Sequence, residues 1–135
     1  MIDDVLLRRI ATEEKVPLGI IEKDFAISCV LLVISKSKLK DHLIFKGGTA
    51  IKKIYYPEAR FSEDMDFTVR SISEEDVISS LKEIISETRI ESIAFEKAYE
   101  ERFSQTGISL RLPFIGPLRY RNSIRVDLSF RHDIL

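Results

Sequence analysis

The chain is 135 residues long, 44% hydrophobic and 32% charged, with 21 Lys and Arg against 22 Asp and Glu. That length fits one domain, residues 1–135, with a sizeable core, and a net charge of -1 does not suit a chain that is basic throughout and binds nucleic acid. Its longest apolar run, Cys29 to Ile34, is far short of the ~20 residues of a membrane span. The acidic start Met1-Ile2-Asp3-Asp4 does not read as a signal peptide. The single cysteine, Cys29, can form no internal disulfide, so a cytoplasmic location is expected. In its apolar stretch Cys29 reads as a buried small residue rather than a nucleophile.

In chain order, residues 2–14 predict a short helix with Val5, Leu6 and Ile10 on one side. Pro17 interrupts it or starts the next helix. Leu18 to about Ser35 is helical and apolar on several sides, which predicts burial. Leu43-Ile44-Phe45 reads as a strand feeding the turn Lys46-Gly47-Gly48. Thr49 then caps a helix carrying Ala50, Ile51, Ile54 and Tyr55, which Pro57 ends. After the loop from Glu58 to Glu63, Met65, Phe67 and Val69 alternate with Asp64, Asp66, Thr68 and Arg70, the period of a strand with one polar face. Ser73 and Asp76 resemble a capping box before a helix with Val77, Leu81, Ile84 and Ile85 as its stripe. Two strands follow, about 92–102 and 107–114, joined near Gln105-Thr106-Gly107, although Glu and Ala in the first also allow a helix. Gly116-Pro117 is a turn, and Ile124, Val126 and Leu128 alternate with Arg125, Asp127 and Ser129 in a final strand. The sum is an α/β or α+β domain with a small mixed sheet. No repeat or low-complexity segment is present, and the stop soon after the last strand suggests a missing C-terminal part.

Chemistry enters with Asp64-Met65-Asp66. Residues i and i+2 of a strand share a face, and two close carboxylates repel unless a cation lies between them. Hard oxygen ligands of this kind suit Mg²⁺. Alone, the pair is more often a solvated face. Asp127 shifts the balance: if its strand pairs beside that of Asp66, three carboxylates converge, as two-metal phosphoryl transfer requires. Its plainer reading is an exposed acid paired with Arg125 or Arg131. Gly47-Gly48-Thr49 lets the backbone approach a ligand closely and opens a helix with unpaired N–H groups, an anion site suited to a triphosphate. It is no Walker loop, because GxxxxGK[ST] is absent. Arg60 can hold a phosphate bidentately or pair with an acid, Ser62 can hold the loop or contact phosphate, and Lys46 and Lys52 either add positive charge near a triphosphate or are simply solvated. The late arginines Arg111, Arg119, Arg121, Arg125 and Arg131 read first as a solvated face, and His42 and His132 as surface residues.

Together, Lys46-Gly47-Gly48-Thr49-Ala50 and Arg60-Phe61-Ser62-Glu63-Asp64-Met65-Asp66-Phe67 resemble the AbiEii-type nucleotidyltransferases. These are toxins of type IV toxin–antitoxin systems and their relatives in the DNA polymerase β-like superfamily. Glu22-Lys23-Asp24 looks like a segment that precedes this core, and the resemblance covers roughly residues 18–130. It implies a nucleotidyltransferase fold, a small mixed sheet flanked by helices. It implies Asp64 and Asp66 as ligands of Mg²⁺ or Mn²⁺, and Gly47, Gly48 and Thr49 as the cradle of the NTP phosphates, with Lys46, Arg60 and Ser62 beside them. Asp127 looks like the third superfamily carboxylate, which would hold a second metal and help deprotonate the acceptor hydroxyl. The implied reaction moves an NMP from an NTP to an acceptor hydroxyl, on an RNA such as tRNA or on a protein, with a cognate antitoxin as partner and no membrane. The family's helical C-terminal portion has no counterpart in the chain. The rival reading is therefore a core that binds nucleotide or a partner without turnover. A metal-dependent phosphodiesterase using the same acids is the third, disfavoured because no histidine lies near the acids.

Overall fold

The computed structural model describes residues 3–46, 64–102 and 107–130, with the side chains of Lys46 and Arg102 left aside. Helix α1, Asp4–Glu14, is capped by Asp3, whose Oδ1 accepts from the Leu6 N–H at 3.0 Å. It ends where Lys15 turns left-handed, at φ 57°. Pro17 is the N-cap of α2, Leu18–Ser35, so it starts that helix. A 3₁₀ turn at Lys38–Asp41, which periodicity does not reveal, leads into β1, Leu43–Lys46. After β2, Asp64–Val69, comes α3, Glu74–Ile85. A two-residue strand β3, Arg89–Ile90, then β4, Ile93–Phe95, and β5, Tyr99–Arg102, precede the long β6, Gly107–Ile115, and β7, Arg121–Phe130.

Among the described residues these strands form one mixed sheet in the order β1-β2-β7-β6-β4-β3, with β5 also on β6. The expected strand at 92–102 exists but is interrupted. β4 pairs with Phe114 and Ile115, β5 pairs with Ile108 to Arg111, and the Glu96 N–H donates to the Pro113 carbonyl between them. The helical alternative for this stretch is thereby ruled out. Cross-strand pairing along β6 outweighs the intrinsic helix preference of Glu and Ala.

The alternation read from sequence decides which face is buried. Met65, Phe67 and Val69 of β2, Ile124, Val126 and Leu128 of β7, and Leu110, Leu112 and Phe114 of β6 enter one core. Ala26, Ile27, Val30 and Ile34 of α2 and Val77, Ile78, Leu81 and Ile85 of α3 close it from the other side. On β2 and β7 the opposite face carries Asp64, Asp66 and Thr68 beside Arg125, Asp127 and Ser129. β2 is joined to β7 in parallel, the only parallel pairing among the described strands, and this junction carries the candidate site.

Candidate active site

β2 and β7 run in register, with Asp64 opposite Arg125 and Asp66 opposite Asp127. Adjacent strands lie about 4.8 Å apart. Because Met65, Phe67, Val126 and Leu128 are buried in the core, their neighbours Asp64, Asp66, Arg125 and Asp127 share the opposite face. The sheet therefore brings the three acids expected from sequence onto one face of two adjoining strands. β1 ends at Lys46, whose register partner is Asp66. Gly47, Gly48, Thr49, Lys52, Arg60 and Ser62, the expected phosphate-binding and loop residues, lie outside the described residues, as do Arg131 and His132.

Arg125 bridges two of the acids. Its Nη2 donates to Asp64 Oδ2 at 3.2 Å, and its Nε lies 3.0 Å from Asp127 Oδ1. That Nε–H is buried and poorly aligned on Asp127, so the contact acts chiefly as a charge pair, with at most a weak hydrogen bond. Asp127 Oδ1 already accepts from Ser109 Oγ at 2.8 Å. Burial draws the Arg125 proton affinity down, but the charges of Asp127 and Asp64 outweigh it and hold the guanidinium above its ordinary pKa. Asp127 is the more sheltered acid, its side chain 18% exposed against 45% for Asp64.

Among the described residues no three Asp, Glu, His or Cys side chains are gathered as a metal cage. The oxygens of Asp64, Asp66 and Asp127 are nevertheless of the donor type that hard divalent cations take. They are carboxylate, they project from one face, and a positive charge already lies against two of them.

Sequence reasoning missed Ser109. No motif marks it, and only the β6–β7 register, which sets it opposite Asp127, brings it into play. The expected pairing of Asp127 with Arg125 occurs. Of the other late arginines, Arg111 pairs with Glu101 at 3.0 Å and Arg121 with Glu96 at 2.8 Å, so these two are compensated on the surface. His42 Nδ1 sits 2.9 Å from the Arg70 carbonyl, away from the acids in β2 and β7. Glu22 is fully buried, and its carboxylate accepts from the Leu118 N–H and Asn122 Nδ2, both at 3.0 Å. It ties α2 to the β6–β7 turn rather than joining the acids. A Cβ at Gly116 in that turn would lie 2.7 Å from Glu22 Oε2 and 2.9 Å from Ile93 Cδ1, so a larger residue there would push on the buried carboxylate.

Residues 30–135 match the family model described as "Nucleotidyl transferase AbiEii toxin, Type IV TA system". MenT4, a nucleotidyltransferase toxin from Mycobacterium tuberculosis H37Rv, is similar with a TM-score of 0.71 at 23% identity, over 100% of this chain and 45% of that one. A candidate nucleotidyltransferase from H. pylori gives 0.60 at 15% identity, over 85% and 47%. JHP933 from Helicobacter pylori gives 0.56 at 15%, over 81% and 43%. At these identities the likeness shows the fold, and the chain spans less than half the length of each of these proteins. No curated protein matches it in sequence.

Proposed function

The chain belongs to the AbiEii family of nucleotidyltransferase toxins of type IV toxin–antitoxin systems, and on that premise we propose that it takes part in transferring an NMP from an NTP to an acceptor hydroxyl, with pyrophosphate leaving. The observation that carries this reading is the register of Asp66 opposite Asp127 on adjoining parallel strands, with Asp64 two residues away on the same face.

In this reading Asp64, Asp66 and Asp127 hold Mg²⁺ or Mn²⁺. When bound, such a cation supplies charge neutralisation on the transferring phosphate and acidifies the acceptor hydroxyl. Asp127, sheltered and oriented by the Ser109 hydroxyl, is the group poised to take the acceptor's proton. Gly47, Gly48 and Thr49, with Lys46, Arg60 and Ser62, receive the triphosphate. Positioning and fixed charge, rather than a covalent intermediate, lower the barrier. The acceptor is an RNA such as tRNA, or a protein side chain, and the family's type IV systems support a cognate antitoxin partner.

The test is incubation with α-phosphate-labelled NTPs, Mg²⁺ and total RNA, for wild type and Asp66→Ala. Transfer that needs the cation and drops at least a hundredfold in the variant is expected, a loss of about 2.7 kcal/mol or more of transition-state stabilisation. Equal transfer by both proteins would refute the role of Asp66. NTP binding without transfer would favour the binding-only core.

A further inference from the structure

We propose that Arg125 is a built-in counter-cation that occupies the acidic face of β2 and β7 until a divalent cation displaces it. The inference rests on the metal-site reading above and adds a residue that competes with the metal for that site.

Three features of the geometry carry it. First, Arg125 is the register partner of Asp64 and lies two residues before Asp127 on the same face, so one guanidinium reaches an acid on each strand. Its contacts run to Asp64 Oδ2 and Asp127 Oδ1, on two of the carboxylates that the metal-site reading assigns to the cation. Secondly, the fit is imperfect. The Arg125 Nε lies 3.0 Å from Asp127 Oδ1 but its N–H is poorly aligned on that oxygen, which already accepts from Ser109. A guanidinium that merely braced two strands would be expected to align both of its donors on carboxylates, since bidentate geometry is its particular strength. Thirdly, the Arg125 side chain is 39% exposed, so solvent reaches it and the long side chain can leave without opening the core.

The balance of charge explains why such a residue is useful. Without a cation, acids crowded on one sheet face repel one another and destabilise the β2–β7 pairing on which the site depends. The Arg125 charge, held against Asp64 and Asp127, relieves part of that repulsion. A divalent ion relieves it further, and the two cations repel each other at this range, so occupancy is exclusive. Arg125 thus keeps the acids on one face in the metal-free state and sets a threshold of cation concentration for filling the site.

The experiment is Mn²⁺ titration followed by paramagnetic resonance and by calorimetry, on wild type, Arg125→Gln, Arg125→Lys and Asp66→Asn. Thermal unfolding in EDTA is recorded alongside. Expected are tighter Mn²⁺ binding by Arg125→Gln, on the order of tenfold, a lower melting temperature than wild type in EDTA, and a larger rise in melting temperature on adding Mn²⁺. Arg125→Lys keeps the charge and should bind Mn²⁺ nearly as wild type does. Unchanged or weaker binding by Arg125→Gln, with wild-type binding still abolished by Asp66→Asn, overturns the counter-cation role alone. Absence of Asp66-dependent Mn²⁺ binding in both wild type and Arg125→Gln overturns the metal site and this inference together.

Discussion

Cys29 is packed inside α2 with its Sγ–H directed at the Ile90 carbonyl, 3.9 Å away. Burial first, and then the charge of Glu91, push its thiol up from 9.0 to about 11. The thiolate is the reactive form, so this group stays inert at neutral pH. The same shift links it to stability. The folded protein keeps the proton above the pH at which the unfolded chain releases it, so nothing is lost below pH 9, and stability falls as pH rises from 9 toward 11. At pH 10.5 that loss amounts to about 2 kcal/mol. Urea unfolding at pH 7.5 and 10.5 should show a decline larger by this amount in wild type than in Cys29→Ala, whose remaining decline comes from other groups. Equal declines in the two proteins would contradict the buried thiol.

Helix α3 shows how a local signal survives folding. Ser73, at φ -70° and ψ 156°, accepts the Asp76 N–H on its hydroxyl at 3.1 Å, the bond expected from the sequence. Glu74, Glu75 and Asp76 fill the first turn and Lys82 the last, so side-chain charge runs against the helix dipole at both ends. Ser73→Ala should therefore cost about 1 kcal/mol in chemical denaturation, with the denaturant slope unchanged. A change below about 0.3 kcal/mol would mean that water replaces the hydroxyl without loss. Elements without periodicity leave little signal in the sequence. β3 has two residues, and its turn into β4 relies on Glu91 at φ 54°, a left-handed position held by a residue that does not announce it. The break between β4 and β5 lies within one run of Glu, Lys and Ala, and only the partner strand β6 shows where pairing lapses.

Across the whole molecule, protection from solvent is uneven. β7 is paired on both edges, with β2 and with β6, and its residues Ile124, Val126 and Leu128 are almost wholly buried. Helix α1 contributes a single fully buried side chain, Leu7, while Val5 is 62% exposed. Native-state hydrogen exchange should find the slowest amides in β7 and its neighbours, and the fastest helical amides in α1. Exchange in α1 as slow as in β7 would show that the helix unfolds only with the sheet. The candidate acids sit on β2 and β7, two strands that are each paired on both edges. Among the described residues no helix is long and apolar enough to cross a membrane.

Sequence by itself determined the mixed α/β class, the buried faces of β2 and β7 with Asp64, Asp66 and Asp127 on their polar faces, and the start of α3. These follow from period, capping chemistry and residue type, which act over a few neighbouring positions. Only the tertiary structure decided that β7 lies parallel to β2 with Asp127 level with Asp66, because residues 61 positions apart in the chain become partners through the crossover and not through any local pattern. The same is true of Ser109 against Asp127, of Glu22 beneath the β6–β7 turn, and of Arg125 between two strands' acids. In each case a charge or hydroxyl acquires its role from what long-range register sets beside it, and the free energy of that placement comes from the shared apolar core on the other face of the sheet.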